Sequence, residues 1–229
     1  MNLVFVGCEY AGKSTLAQEV MKWAENTVGG TSHFHDHFSV PSSELTPEAQ
    51  ESLLTVHPQA LEMLQRFMIE YHISQAFYSN PDHNLMGLVI EEAVYAPLYY
   101  GYGGKNSGSP ARSPEGQRTE MARRMEKTML DRSPGTVLVL FKASPEIIAK
   151  RMKENPHRHQ IVQEKDIDYV LKRFEEEFEA SLIQKQIVID TTSATIEETL
   201  AEVIQKYEPF HTNADLLRIR QHRAVQTGA

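Results

Sequence analysis

Three observations predict an α/β fold on a parallel sheet. Short apolar runs recur along the chain, amphipathic helical patterns separate them, and the first run leads straight into a glycine-rich turn and a helix. Five runs read as buried strands, at 3–6, about 33–38, 85–90, 137–141 and 187–189. Helices are expected at about 13–25, 58–78, 115–130, 145–153, 166–182 and 196–206. One strand per crossover gives a five-stranded parallel sheet with helices on both faces, three layers in all. Ligands then bind beyond the carboxyl ends of the strands, so the residues just after each run matter most.

The first unit carries the most specific signal. Leu3-Val4-Phe5-Val6 runs into Gly7-Cys8-Glu9-Tyr10-Ala11-Gly12-Lys13-Ser14-Thr15, a complete phosphate-binding loop between a strand and a helix, the setting it requires. Its glycines let backbone N–H groups converge on a phosphate chain, and the helix N-terminus adds its positive dipole end. Gly7, Ala11, Gly12 and Thr15 shape the cradle. Lys13 is placed to reach the β and γ phosphates, and the Ser14 hydroxyl to ligate Mg²⁺. A nucleoside triphosphate is therefore the expected ligand, with ATP and Mg²⁺ as cofactors.

In the second strand His33, His35 and His37 alternate with Phe34, Asp36 and Phe38, so the imidazoles share one face. Imidazole suits zinc, but no cysteine or second ligand cluster accompanies them at metal spacing, and polar residues at a strand end are the simpler reading. The helix at 58–78 carries Phe67, Tyr71, Gln75 and Tyr78 at helical spacing, a pattern of core packing or of a pocket wall. The third strand ends in Glu91-Glu92. Glu91, the first carboxylate after a core strand, reads as a general base or as a Mg²⁺ ligand through water.

Residues 101–114, rich in glycine, serine and proline, form a flexible loop that is either a plain linker or a flap over substrate. Arg118, Arg123 and Arg124 open the next helix, either as anion binders or as surface charges. The tail at 209–229 contains Asp215-Leu216-Leu217-Arg218-Ile219-Arg220, a short basic helix read as a solvated terminus. The division expected is one domain at 1–208 and a helical tail.

Composition narrows the partners. A formal charge of −8 and no long basic run argue against nucleic acid held through its phosphates. One cysteine, Cys8, excludes an intrachain disulfide and suits a reducing cytoplasm. No apolar stretch approaches the roughly 20 residues of a membrane span. The expectation is a cytoplasmic protein with a small-molecule partner, no nucleic acid and no membrane, and with a homodimer left open.

Three segments resemble the thymidylate kinase and deoxynucleoside kinase superfamily. The phosphate loop has that superfamily's acidic residue two positions after the first glycine and its Ala-Gly-Lys-Ser ending. Ala143-Ser144-Pro145-Glu146, followed by Arg151, Arg158 and the stretch at 169–178, is similar to its lid region. Val188-Ile189-Asp190-Thr191-Thr192 with Ile196-Glu197-Glu198-Thr199 is similar to its last strand and helix. The resemblance implies a P-loop kinase fold with a helical lid at about 151–166. It also implies transfer of the ATP γ-phosphate to a hydroxyl of a nucleoside-like or other polar metabolite.

Within that resemblance Asp36 matches the general base at the end of the second strand, and Glu9 binds a substrate hydroxyl or is a tolerated loop acid. Arg151 and Arg158 close over ATP, while His37, Tyr71, Gln75, Glu92 and Arg118 line the acceptor side. One departure is specific. Thymidylate kinases place Asp-Arg-Tyr where this chain has Glu91-Glu92-Ala93, so the arginine that would hold an acceptor phosphate is missing and a neutral acceptor is favoured over a nucleoside monophosphate. The rival reading is a regulatory nucleotide-binding module that acts through a protein partner.

Overall fold

The computed structural model describes residues 1–30, 32–36, 38–80, 82–105, 114 and 116–227. Five strands, β1 (Leu3–Gly7), β2 (His33–His35), β3 (His83–Met86), β4 (Val137–Lys142) and β5 (Gln186–Asp190), form one sheet in the order β2-β3-β1-β4-β5. Every pairing is parallel, with Val4 opposite Leu85 on one side and Leu138 on the other. The strand order reverses direction at β1, which puts the crevice of the switch point above the carboxyl end of that strand. β1 is buried along its whole length, as its continuous apolar run requires of a doubly covered parallel strand, and β3 is buried along its whole length with two polar residues, His83 and Asn84.

Nine α-helices cover the sheet among the described residues: α1 (Lys13–Thr27), α2 (Pro47–Leu54), α3 (Pro58–His72), α4 (Leu88–Tyr95), α5 (Gln117–Leu130), α6 (Pro145–Glu154), α7 (Ile167–Glu179), α8 (Ile196–Tyr207) and α9 (Asn213–Thr227). α1 packs with α8 in one layer, and α4 packs with α5 and α7 in the other. This is the three-layer arrangement expected.

Four segments depart from expectation. The third strand stops at Met86, and Leu88-Val89-Ile90 form the first turn of α4. Every residue of α4 is buried, so the run shows no amphipathic period, and a short apolar run cannot be told from a strand by pattern alone. α3 ends at His72 rather than at residue 78. α2 has no counterpart in the expected helices; it starts at a Thr46 cap whose hydroxyl accepts the Ala49 N–H at 3.4 Å. The tail is longer and better anchored than a solvated terminus. α9 buries Asp215 and Ile219, and both guanidinium ends of Arg218 hold Asp82, at 2.9 and 2.6 Å. No helix among the described residues is long and apolar enough to cross a membrane.

Candidate active site

The phosphate loop joins β1 to α1 above the switch point. Gly7 has φ 143°, and a Cβ there would lie 2.3 Å from the Phe141 carbonyl oxygen of β4, so only glycine lets the loop leave the sheet at this point. Four loop carbonyls have side-chain donors. Lys13 Nζ donates to Gly7 O at 2.6 Å and to Cys8 O at 3.2 Å. Arg151 Nη1 donates to Tyr10 O at 2.9 Å, and Thr191 Oγ1 to Ala11 O at 3.0 Å. With its acceptors engaged in this way, the loop meets an anion through N–H groups and the α1 terminus, where Ser14 and Thr15 are exposed. Gly12 caps α1 in the left-handed region at φ 86°.

Carboxylates converge on this loop from β2 and α4. Asp36, just past β2, accepts the Ser14 hydroxyl at 3.4 Å. Glu91, in the first turn of α4, lies 3.7 Å from Lys13 Nζ through one oxygen and accepts the Ser39 hydroxyl at 2.7 Å through the other. Gly87 makes room for it: with φ 82°, a Cβ there would sit 2.5 Å from the Glu91 carboxylate. Burial pushes the Glu91 pKa above the ordinary carboxylate value, and Lys13 and Ser39 pull it back only in part. Cys8 is buried, and its thiol is pushed up to about 12, which keeps it protonated and unreactive.

Beyond Glu91 the expected acceptor residues rearrange. Arg118 is neither a surface charge nor an available anion site. It is 2% exposed, with one end 3.1 Å from Glu92, the other in a close ion pair with Glu62, and its plane over the Tyr102 ring. Burial raises the Glu92 pKa against the pull of Arg118. Two carboxylates thus hold both terminal nitrogens of the one guanidinium while its Nε is buried without a partner, a pairing invisible in sequence because Glu62, Glu92 and Arg118 belong to three helices.

Tyr71 and Gln75 do not face the site. Tyr71 is 60% exposed, and Gln75 lies past the end of α3 and is exposed. The inward stripe of α3 is Leu61, Gln65, Ile69 and His72. Gln65 is the residue the sequence reading missed: its amide N–H₂ donates to Phe38 O at 3.3 Å while its Oε1 is buried without a partner. A polar residue in phase with Leu61 and Ile69 was the available signal. His37 lies outside the described residues, as does most of the loop at 101–114. His33 and His35 both pack on His83 of the neighbouring strand, and His35 Nε2 is 3.3 Å from His83 Nδ1.

The segment at 155–163 between α6 and α7 reaches back to the tip of the phosphate loop. Glu9 accepts the backbone N–H groups of Ile161 and Val162 at 2.9 and 3.0 Å, and its other oxygen meets His157 Nδ1 at 2.5 Å. Tyr10 stacks on His157 with ring centroids 4.2 Å apart and accepts the His157 N–H at 3.0 Å. Glu9 is therefore engaged by this strap rather than presented to a substrate hydroxyl. Arg151 also holds Thr191, donating to its carbonyl at 2.7 Å. Arg158 points elsewhere: it is 59% exposed and lies 3.5 Å from Glu51 of α2.

No family model and no curated protein sequence matches the chain. Solved structures do. Deoxyadenosine kinase from M. mycoides with bound dATP superposes with a TM-score of 0.57 at 14% identity, over 91% of this chain and all of that one. The YorR protein of Bacillus subtilis, in complex with phosphorylated GDP, gives 0.55 at 15% identity over 93% and all. Thymidylate kinase from Candida albicans gives 0.54 at 14% identity over 91% and 92%. The chain has the fold of thymidylate and deoxynucleoside kinases, and these neighbours act on or bind nucleotides.

Proposed function

We propose that this chain is a small-molecule kinase that moves the γ-phosphate of ATP, with Mg²⁺, to a hydroxyl of an uncharged, nucleoside-like acceptor. The observation that carries the reading is the meeting of Lys13, Ser14, Asp36 and Glu91 at the switch point, on a loop whose carbonyls are drawn away from the cradle. Phosphoryl transfer needs positioning and charge neutralisation more than covalent chemistry. Lys13 neutralises the β and γ phosphates. Glu91 fixes Lys13 from below. Asp36, half-buried at the mouth and next to Ser14, orients the acceptor hydroxyl and takes its proton; Glu91, with one oxygen on Ser39 and the other facing Lys13, is less accessible for that task.

The Ser14 hydroxyl and the Asp36 and Glu91 carboxylates offer oxygen only, a donor set that fits Mg²⁺. Ser14 would hold the ion directly and a carboxylate through water, and the bound ion would supply charge neutralisation. Such few protein oxygens match an ion that keeps most of its water and phosphate ligands.

The pairing of both Arg118 terminal nitrogens with Glu62 and Glu92 supports a neutral acceptor over a monophosphate, since a phosphate there would meet carboxylates. Gln65, with its unpartnered oxygen, is the polar group in position to accept a donor of that acceptor. The test is ADP release measured with a panel of nucleosides and other polar metabolites, against the same panel with Lys13→Ala. Turnover should require one acceptor class and vanish in the variant, which should keep its fold. Steady ADP release independent of any acceptor would favour a regulatory NTPase.

A further inference from the structure

A cavity of about 240 Å³ lies between α7 and the carboxyl ends of β4 and β5. Leu140, Pro145, Leu171 and Phe174 form its apolar wall, and Cys8 is the one residue of the phosphate loop that reaches it. The volume falls below the ~300–1,000 Å³ of pockets for drug-sized ligands, so a single compact ring system fits.

Its rim is charged and unbalanced. Lys142 and Glu175 form a close ion pair across the mouth and cancel each other. Asp190 makes no ion pair among the described residues, and hydrogen bonding from Thr192, through its side chain and its backbone N–H at 2.8 Å, with a smaller pull from Lys142, holds its pKa below the ordinary range. The mouth therefore keeps one negative charge beside an apolar interior.

We propose that this cavity is an effector site for a compact aromatic amine, coupled to the nucleotide site through Cys8 and Phe174. The ring packs on Leu171 and Phe174 while the ammonium meets Asp190. The coupling follows from two contacts: the Cys8 carbonyl accepts Lys13 Nζ at 3.2 Å, and the Phe174 ring centre lies 6.0 Å from the same nitrogen. A ligand that shifts either residue moves the cation that reads the phosphates. The coupling rests on the kinase reading above; the binding does not.

The test uses the full chain, with tryptamine as probe and indole-3-propionate as control, a comparable ring and side chain of opposite charge. Calorimetry should give at least tenfold tighter binding for tryptamine, the factor expected of one charge-assisted hydrogen bond. Asp190→Asn, a substitution at an exposed position, should erase that preference, and Leu171→Trp should fill the cavity and abolish both. Saturating tryptamine should change the affinity for a non-hydrolysable ATP analogue at least threefold, and the analogue should change tryptamine affinity by the same factor. Equal binding of the two indoles, binding of neither, an unaffected Asp190→Asn protein, or a coupling factor of one with the analogue bound would each overturn the proposal. Failure of the analogue to bind at all would instead refute the nucleotide-site reading.

Discussion

Replacing Glu91 by Gln should make the protein more stable at neutral pH and less active. At 3.7 Å, and at an effective dielectric of about 20, the attraction between Glu91 and Lys13 is about 4.5 kcal/mol. That attraction loses to desolvation, because the net displacement of the Glu91 pKa is upward, with burial as the leading cause. Each unit of such a displacement costs ~1.4 kcal/mol of folding free energy once the group is ionised. A carboxylate with a raised folded pKa makes the folded state bind more protons than the unfolded one, so stability falls as pH rises from the ordinary value of 4.5 through the folded value. Gln keeps the shape and the hydrogen bond with Ser39 and carries no charge. Lys13 is not stranded by the change, since Gly7 O and Cys8 O still accept from it. Urea denaturation should therefore show the variant more stable than the wild type at pH 7, with the gap closing below the ordinary carboxylate value of 4.5, where Glu91 is neutral in both states. Phosphoryl transfer should fall, because Lys13 loses its fixed counter-charge. A variant less stable than the wild type at pH 7 would refute the reasoning, by showing that the pair attraction outweighs the burial cost.

Three further outcomes are expected. Asp36→Asn should leave the affinity for an ATP analogue unchanged and lower the acceptor-dependent rate by roughly 10²-fold, the scale of a lost general base; if Glu91→Gln shows that profile and Asp36→Asn does not, the two carboxylates exchange roles. Gln65→Leu removes a buried oxygen that has no partner but also the donor to Phe38 O, two opposed effects, so thermal stability should change little while the acceptor KM rises about tenfold with ATP KM unchanged; equal KM values for the acceptor would place Gln65 outside the pocket. Asn84 on β3 is fully buried with both side-chain polar atoms unpartnered, and Asn84→Leu should add about 1–3 kcal/mol in denaturant melts, a loss of stability being the contrary result.

The units legible in sequence were those whose signal is local. The phosphate loop, β4, β5 and α8 each declare themselves within a few residues, by glycine spacing, by apolar runs, or by the helical pattern at 196–206. What escaped depends on tertiary context. Leu88-Val89-Ile90 read as strand because burial on all sides erased the helical period of α4, and that error moved Glu91 from a strand end to a helix start. The phase of α3 was misjudged because exposed Phe67 and Tyr71 look as core-like as Leu61 and Ile69. Arg118 read as an anion binder on the acceptor side or as a surface charge because its two partners lie 56 and 26 residues upstream.

The strap across the phosphate loop places an uneven constraint on future change. One Glu9 oxygen is held by the backbone N–H groups of Ile161 and Val162, which nearly any residue other than proline supplies, and the other by the His157 side chain, which only a histidine-like donor supplies. Side chains along 155–163 other than His157 can therefore drift with little effect on that grip. Chain length cannot, since one added or deleted residue would carry those two donors past a carboxylate fixed on a rigid loop. In a set of diverged copies this segment should keep its histidine and its residue count while its other positions vary in composition.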